Sequence, residues 1–269
     1  MLRLPPERLT DPEWTNLREH DIQEHWDLAL APWVATAHAA RMEHAIEVIE
    51  DHSCSPARVI DVGCAKGTLG YLLAGRGFDV TLVDVCASHV AYARARSDEH
   101  ASLQFCVGLV PTVPEQDGFD VVVCTEVIEH MPTPRMLLDG LRQKCRPGGM
   151  LYLTTPNGAY FFSKLPTYSK VAEEVLANMV VNSDDGDDHR YGYTLEELVS
   201  VVRAAGFAVR EAGIFLPFWM VGWAHTEALH RLHLMLTRRL VRHRPGRRRQ
   251  SRWSRATGTS LYVVGQRLP

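Results

Sequence analysis

Glu126, Glu129 and His130 are spaced i, i+3, i+4, so on a helical turn they would share one face. A second histidine, His189, closes the acidic stretch Asp184-Asp185-Gly186-Asp187-Asp188. Three readings of this set stay open. In the first, His130 or His189 takes a proton from a reacting hydroxyl, which is worth roughly 10²–10⁴-fold in rate. In the second, Glu126, Glu129, His130 and His189 hold a divalent cation such as Mg²⁺ or Mn²⁺. The cation would grip two vicinal oxygens and acidify one of them. In the third, Glu126 caps the turn, His130 packs, and the aspartates beside His189 are a solvated loop.

A ligand-binding unit lies upstream. Arg58-Val59-Ile60-Asp61-Val62 is a short run of strand formers, consistent with a strand buried on both faces. Gly63-Cys64-Ala65-Lys66-Gly67 follows as a turn, and Thr68 can open the next helix. The following strand ends at Asp84, a position from which a carboxylate can accept both hydroxyls of a ribose. Nicotinamide and flavin enzymes need G-x-G-x-x-G at such a turn. Counted from Gly63, this chain places Ala65 and Thr68 at the second and third glycines.

The elements that must position these groups alternate. Strands are expected near 58–62, 79–84, 103–107, 119–124 and 149–155, with helices near 68–76, 87–97 and 134–145. Pro147-Gly148-Gly149 marks a helix-to-strand turn. Thr194 with Glu197 forms a capping box for a helix over 194–205, and Gly206 ends it. Two more strands follow, near 207–215 and 260–266. Residues 14–50 read as a helical cap, with Trp26, Leu28, Leu30, Trp33 and Val34 at its apolar positions.

Together the loop at 58–70, Asp84, Gly118–Cys124 and Arg146–Asn157 resemble the class I S-adenosylmethionine (SAM) methyltransferases over residues 58–215. The resemblance implies an α/β fold of Rossmann-like, doubly wound type, with a seven-stranded, mostly parallel sheet and a single domain over 1–269. It implies cofactor contacts at Asp61, Gly63, Cys64, Ala65, Gly67, Asp84, Val85 and Thr125. Relatives commonly carry glycine where Ala65 stands and an acid where Leu109 stands. The second departure leaves adenine recognition to backbone groups or to another side chain. The carboxyl end of the fourth strand, Thr125 onward, would lie beside the transferred methyl. Two groups in the family carry related Glu-x-x-Glu-His patterns. They are the ubiquinone-biosynthesis O-methyltransferases and the methyltransferases of small-RNA 3′-terminal ribose.

Charge is unevenly placed. Residues 238–255 hold nine arginines and no acid, which leaves the rest of the chain near −12 against a total of −3. Leu229, Leu232, Leu236 and Leu240 recur at helical spacing just before them, so 216–256 reads as an amphipathic helix and a basic loop. Core packing is one role for it; capping the substrate pocket, engaging phosphates of a nucleotide-linked substrate or RNA, and peripheral contact of 218–255 with an anionic membrane are others. The acidic body and the lack of an RNA-binding motif argue against nucleic acid. The six cysteines form no C-x-x-C pair, and Gly213–Ala224 is too short to span a bilayer. No signal-peptide core opens the chain, which points to the cytoplasm.

The expected function is methyl transfer from SAM to a hydroxyl of a small molecule: a quinone precursor, a sugar or a secondary metabolite. The alternatives are a metal-dependent RNA 3′-end ribose methyltransferase and a SAM-binding protein without catalysis.

Overall fold

The computed structural model describes residues 12–25, 32–97, 102–113, 118–172, 176, 189–217 and 258–269. Among them one seven-stranded sheet carries the chain. Its strands are β1 (Arg58–Val62), β2 (Asp79–Asp84), β3 (Leu103–Val107), β4 (Phe119–Thr125), β5 (Cys145–Pro156), β6 (Phe207–Pro217) and β7 (Gly258–Arg267). Helices are α1 (Pro12–His25), α2 (Pro32–His52), α3 (Thr68–Ala74), α4 (Ala87–Arg96), α5 (Pro134–Lys144) and α6 (Leu195–Ala204).

The spatial order is β3-β2-β1-β4-β5-β7-β6. The first five strands are parallel, and β7 runs antiparallel between β5 and β6. Sequence order reverses between β1 and β4. In an open parallel sheet that reversal splays the connecting loops and leaves a crevice at the carboxyl ends of the strands. Asp61, Asp84 and Thr125 all lie at those ends.

Both faces of the central strands are covered, so β1, β2 and β4 read as largely apolar runs instead of alternating ones. On one face Leu137, Leu138 and Leu141 of α5 and Leu198 and Val202 of α6 pack with Ile60, Val122 and Leu151. On the other, Ile46 and Ile49 of α2 and Leu69 and Leu73 of α3 pack with Val59, Val80 and Val121. Side chains of this kind contribute roughly 1.5–3 kcal/mol each on burial.

Most sequence expectations hold to within two or three residues. Three differ. The cap is two helices with residues 26–31 between them, instead of one helical span over 14–50. Pro147-Gly148-Gly149 lies inside β5, where the pairing with β4 shifts register between Phe119 and Val121 and Gly148 takes φ +75°. Strand β6 runs two residues further than expected, because Pro217 still pairs with Gly258. Trp26, Leu28, Leu30, the 184–188 acidic run and the basic amphipathic stretch over 218–255 fall outside the described residues. No helix among the described residues is long and apolar enough to cross a membrane.

The capping box forms as the residue types require. Thr194 Oγ1 accepts from the Glu197 N–H at 3.2 Å, and Glu197 Oε2 accepts from the Thr194 N–H at 2.7 Å. Thr194→Ala removes one of these bonds. Urea unfolding should show a loss of about 1 kcal/mol in stability, with the denaturant slope unchanged.

Candidate cofactor and acceptor site

The loop after β1 is held mainly against the end of β2. Gly63 and Cys64 N–H groups both donate to Val83 O, at 2.8 and 3.1 Å, and Gly67 N–H donates to Cys64 O at 2.8 Å. Ala65 N–H donates to Asp84 Oδ2 at 2.9 Å, while Asp84 Oδ1 accepts from Cys86 N–H at 2.9 Å. The Asp84 carboxylate is thereby fixed from two sides, and each oxygen keeps a lone pair for a ribose hydroxyl.

The chain itself requires the glycines. Gly63 has φ +73°, and a Cβ there would meet Val127 Cγ2 at 2.3 Å. Gly67 has φ +76°, and a Cβ there would lie 3.0 Å from Ala93 Cβ and 3.1 Å from Leu82 Cδ1, closer than ordinary contact. Ala65, where relatives carry glycine, takes φ +46°. That left-handed conformation disfavours an L side chain by roughly 1–2 kcal/mol.

Asp61 is buried, and its Oδ1 has no hydrogen-bond partner. Burial and the neighbouring Asp84 raise its pKa to about 7, against a smaller opposing effect of the Gly70 N–H. An orphaned buried carboxylate oxygen at the carboxyl end of the sheet fits the cationic end of SAM. Beside it, Gly108 N–H donates to Asp84 O at 2.9 Å and brings the end of β3 against β2. Val85, Val107 and Leu109 are exposed there, an apolar trio suited to a purine face. Cys64 is buried, and burial with Asp61 and Asp84 pushes its thiol well above the usual range. It stays protonated and inert.

The four residues singled out for acceptor chemistry divide. Glu129, His130 and His189 come together, with ligand atoms all within 4.8 Å of one another. Glu129 Oε1 lies 4.0 Å from His130 Nε2 and 3.8 Å from His189 Nε2, and the two rings are 4.8 Å apart. Glu129 is fully buried. Its Oε2 accepts from Thr155 Oγ1 at 2.9 Å, while Oε1 has no partner within hydrogen-bond distance. Burial and then Glu126 raise its pKa well above the carboxylate range.

Glu126 does not join this group. It takes φ +55°, and the short 3₁₀ turn Ile128–His130 begins only after it. The i, i+3, i+4 face assumed a helix that the backbone does not make. Instead, Glu126 pairs with Arg41 of α2 at 3.0 Å and accepts from Thr154 Oγ1 at 2.8 Å. A left-handed non-glycine residue at a strand end is a conformation the surroundings must enforce. Here Arg41 and Thr154 enforce it.

Sequence reading missed the residues that build this corner. Arg41 and Thr155 partner the two glutamates. Tyr191 joins the corner's two segments, its single hydroxyl proton shared between Met131 O at 2.7 Å and Ile128 O at 2.9 Å. It thereby holds the 128–130 turn beside His189, which lies two residues away in sequence. No local pattern announces such partners.

Comparison with known proteins agrees with this geometry. The sequence model of a methyltransferase domain family matches residues 35–212. A ubiquinone biosynthesis O-methyltransferase of Rickettsia canadensis is 28% identical over 179 residues, covering 64% of this chain and 72% of the relative. That of Burkholderia thailandensis is 27% identical over 73% of this chain and 86% of the relative. For several others the match spans only 58–64% of their length. Among solved structures, phosphoethanolamine N-methyltransferase 2 of Haemonchus contortus, in complex with SAM, superposes with a TM-score of 0.61 at 14% identity. The match covers all of this chain and 61% of that one. A SAM-dependent methyltransferase of Mesorhizobium loti gives 0.55 at 16% identity, over 85% of this chain and 100% of that one. At such identities the structural matches speak for the fold. The chain belongs to the SAM-dependent methyltransferases of the methyltransferase domain family.

Asp61 gives the site a pH signature. Its folded pKa lies above the unfolded value of 3.8, so the folded state binds more protons between about pH 4 and 7. Stability from this group is complete below that window and is lost as pH rises through about 7. In urea unfolding of the ligand-free protein at pH 5 and pH 8, wild type should lose on the order of a few kcal/mol more than Asp61→Asn. Equal losses would remove the assignment.

Proposed function

We propose that this methyltransferase modifies a hydroxyl of a small molecule, with Glu129, His130 and His189 managing the acceptor proton. The observation that carries the reading is the buried Glu129 Oε1, unpartnered and facing two imidazoles. Burial and Glu126 favour the protonated form of Glu129 at rest, and a positive charge formed on either ring, 3.8–4.0 Å away, would favour its carboxylate. In each ring the nitrogen turned away from Glu129, Nδ1, is the one that would meet an acceptor hydroxyl. The names of the relatives, O-methyltransferases of ubiquinone biosynthesis, favour oxygen and an aromatic acceptor such as a catechol.

Bound SAM supplies an electrophilic methyl on a cationic sulfur. The chain's own task is alignment, exclusion of water and removal of one proton. As the acceptor oxygen takes the methyl, its proton passes to Nδ1 of His130 or His189, and the positive charge formed on the ring is met by Glu129, which faces Nε2. The loop at 63–67 and Asp84 hold the donor in place.

A cation offers a second route through the same atoms. Glu129, His130 and His189 present three ligand atoms within 4.8 Å of one another and would hold a divalent transition metal such as Mn²⁺, which would acidify a neighbouring acceptor hydroxyl. Glu126 is committed to Arg41 and Thr154, so the four-residue set read from sequence reduces to three.

Transfer to a catechol acceptor should fall roughly 10²–10⁴-fold in His130→Ala or His189→Ala, with affinity for S-adenosylhomocysteine (SAH) unchanged. A rate indifferent to chelators assigns the histidines as base. A rate abolished by chelation and restored by Mn²⁺ assigns them as ligands. Full activity in both variants would contradict the proposal.

A further inference from the structure

The glycine loop is gripped from outside as well as from within. Arg96 ends α4, and its Nη1 donates to Thr68 Oγ1 at 3.0 Å and lies 3.5 Å from Lys66 O. The same nitrogen meets Asp21 of α1 at 3.2 Å. Asp21 is wholly buried and also accepts from the Tyr92 hydroxyl at 2.9 Å. One turn along α1, Glu24 pairs with Lys66 Nζ at 2.7 Å, and Lys66 is only 7% exposed. The Arg96 guanidinium sits 5.4 Å over the Tyr71 ring, and the Tyr71 hydroxyl donates to Arg96 O at 2.5 Å.

We propose that α1 clamps the glycine loop, and that Asp21, Glu24 and Arg96 are positioning residues for the cofactor. The clamp acts on residues 66–68, immediately after the point where Asp84 holds Ala65. Inner and outer grips thus meet on one six-residue turn. None of the three is needed to reach the reacting atoms; they act through the loop.

Fold stability alone is a poor account of this arrangement. Taking two charges out of water costs more than apolar packing of the same volume, and a buried ion pair is weak evidence of stability. Its directional bonds do what apolar contacts cannot: they fix a carbonyl and a hydroxyl of a ligand loop at set positions. If docking of α1 favours the binding geometry, the cofactor must favour docking of α1 by the same factor. The proposal concerns the cofactor and stands or falls independently of the acceptor.

The test uses the full chain and SAH as probe. Calorimetry on Asp21→Asn should show SAH affinity reduced by roughly 5–150-fold, the usual span of such couplings. Glu24→Gln should weaken it less, because that pair is partly exposed. Hydrogen exchange of the α1 amides should slow when SAH binds wild type, and slow less in both variants. The rise in melting temperature produced by saturating SAH should shrink in both, which a plain loss of fold stability does not cause. Should Asp21→Asn fail to fold, Glu24→Gln carries the test. Wild-type SAH affinity in the folded variants, or α1 exchange indifferent to SAH, would overturn the proposal.

Discussion

The Asp84 carboxylate is the constraint on which the rest of the site depends. It accepts one N–H from the glycine loop and one from the start of α4, while its own carbonyl takes an N–H from the end of β3. Three separate segments converge on one residue at the end of one strand. Remove it, and Ala65 loses the bond that helps hold its left-handed conformation. The same negative charge helps to raise the pKa of the buried Asp61. Two neighbouring carboxyl groups that cannot both ionise without cost suit a cationic ligand, and SAM is a cation.

A second set of constraints governs the acceptor side. Strand β4 ends in a residue with positive φ, and the chain then tightens into a 3₁₀ turn. Arg41 and Thr154 hold Glu126 on one side of that kink, while Tyr191 holds the turn on the other. Glu129 is left buried between two histidines with one oxygen unsatisfied. A site that stores an unpaired buried group in this way is prepared to receive a proton or a cation. The two halves meet at the switch point between β1 and β4, where the sheet order opens the crevice.

The sequence made the scaffold readable because its signals are local. Apolar runs bounded by turns mark strands, Asp84 closes the second of them, and Thr194 with Glu197 caps a helix. The acceptor corner was readable only in part. Glu129, His130 and His189 do assemble, but Glu126 leaves the group, because helical spacing presumes helical φ and Glu126 does not have it. Arg41 lies 85 residues from Glu126, and Asp21 lies 75 residues from Arg96. Contacts of that separation are set by how helices pack on the sheet, and one chain carries no periodic trace of them. The same holds for Gly63 and Gly67, whose requirement comes from Val127, Ala93 and Leu82.

The most direct measurement is SAH affinity in Asp84→Ala by calorimetry, with circular dichroism as the check on the fold. The account predicts an intact sheet and affinity lowered at least a hundredfold, on the order of 3 kcal/mol or more. That loss reflects both the ribose acceptor and the bond that sets Ala65. Affinity equal to wild type would mean that the ribose is held elsewhere and that the loop keeps its shape without Asp84, contradicting the account at its centre.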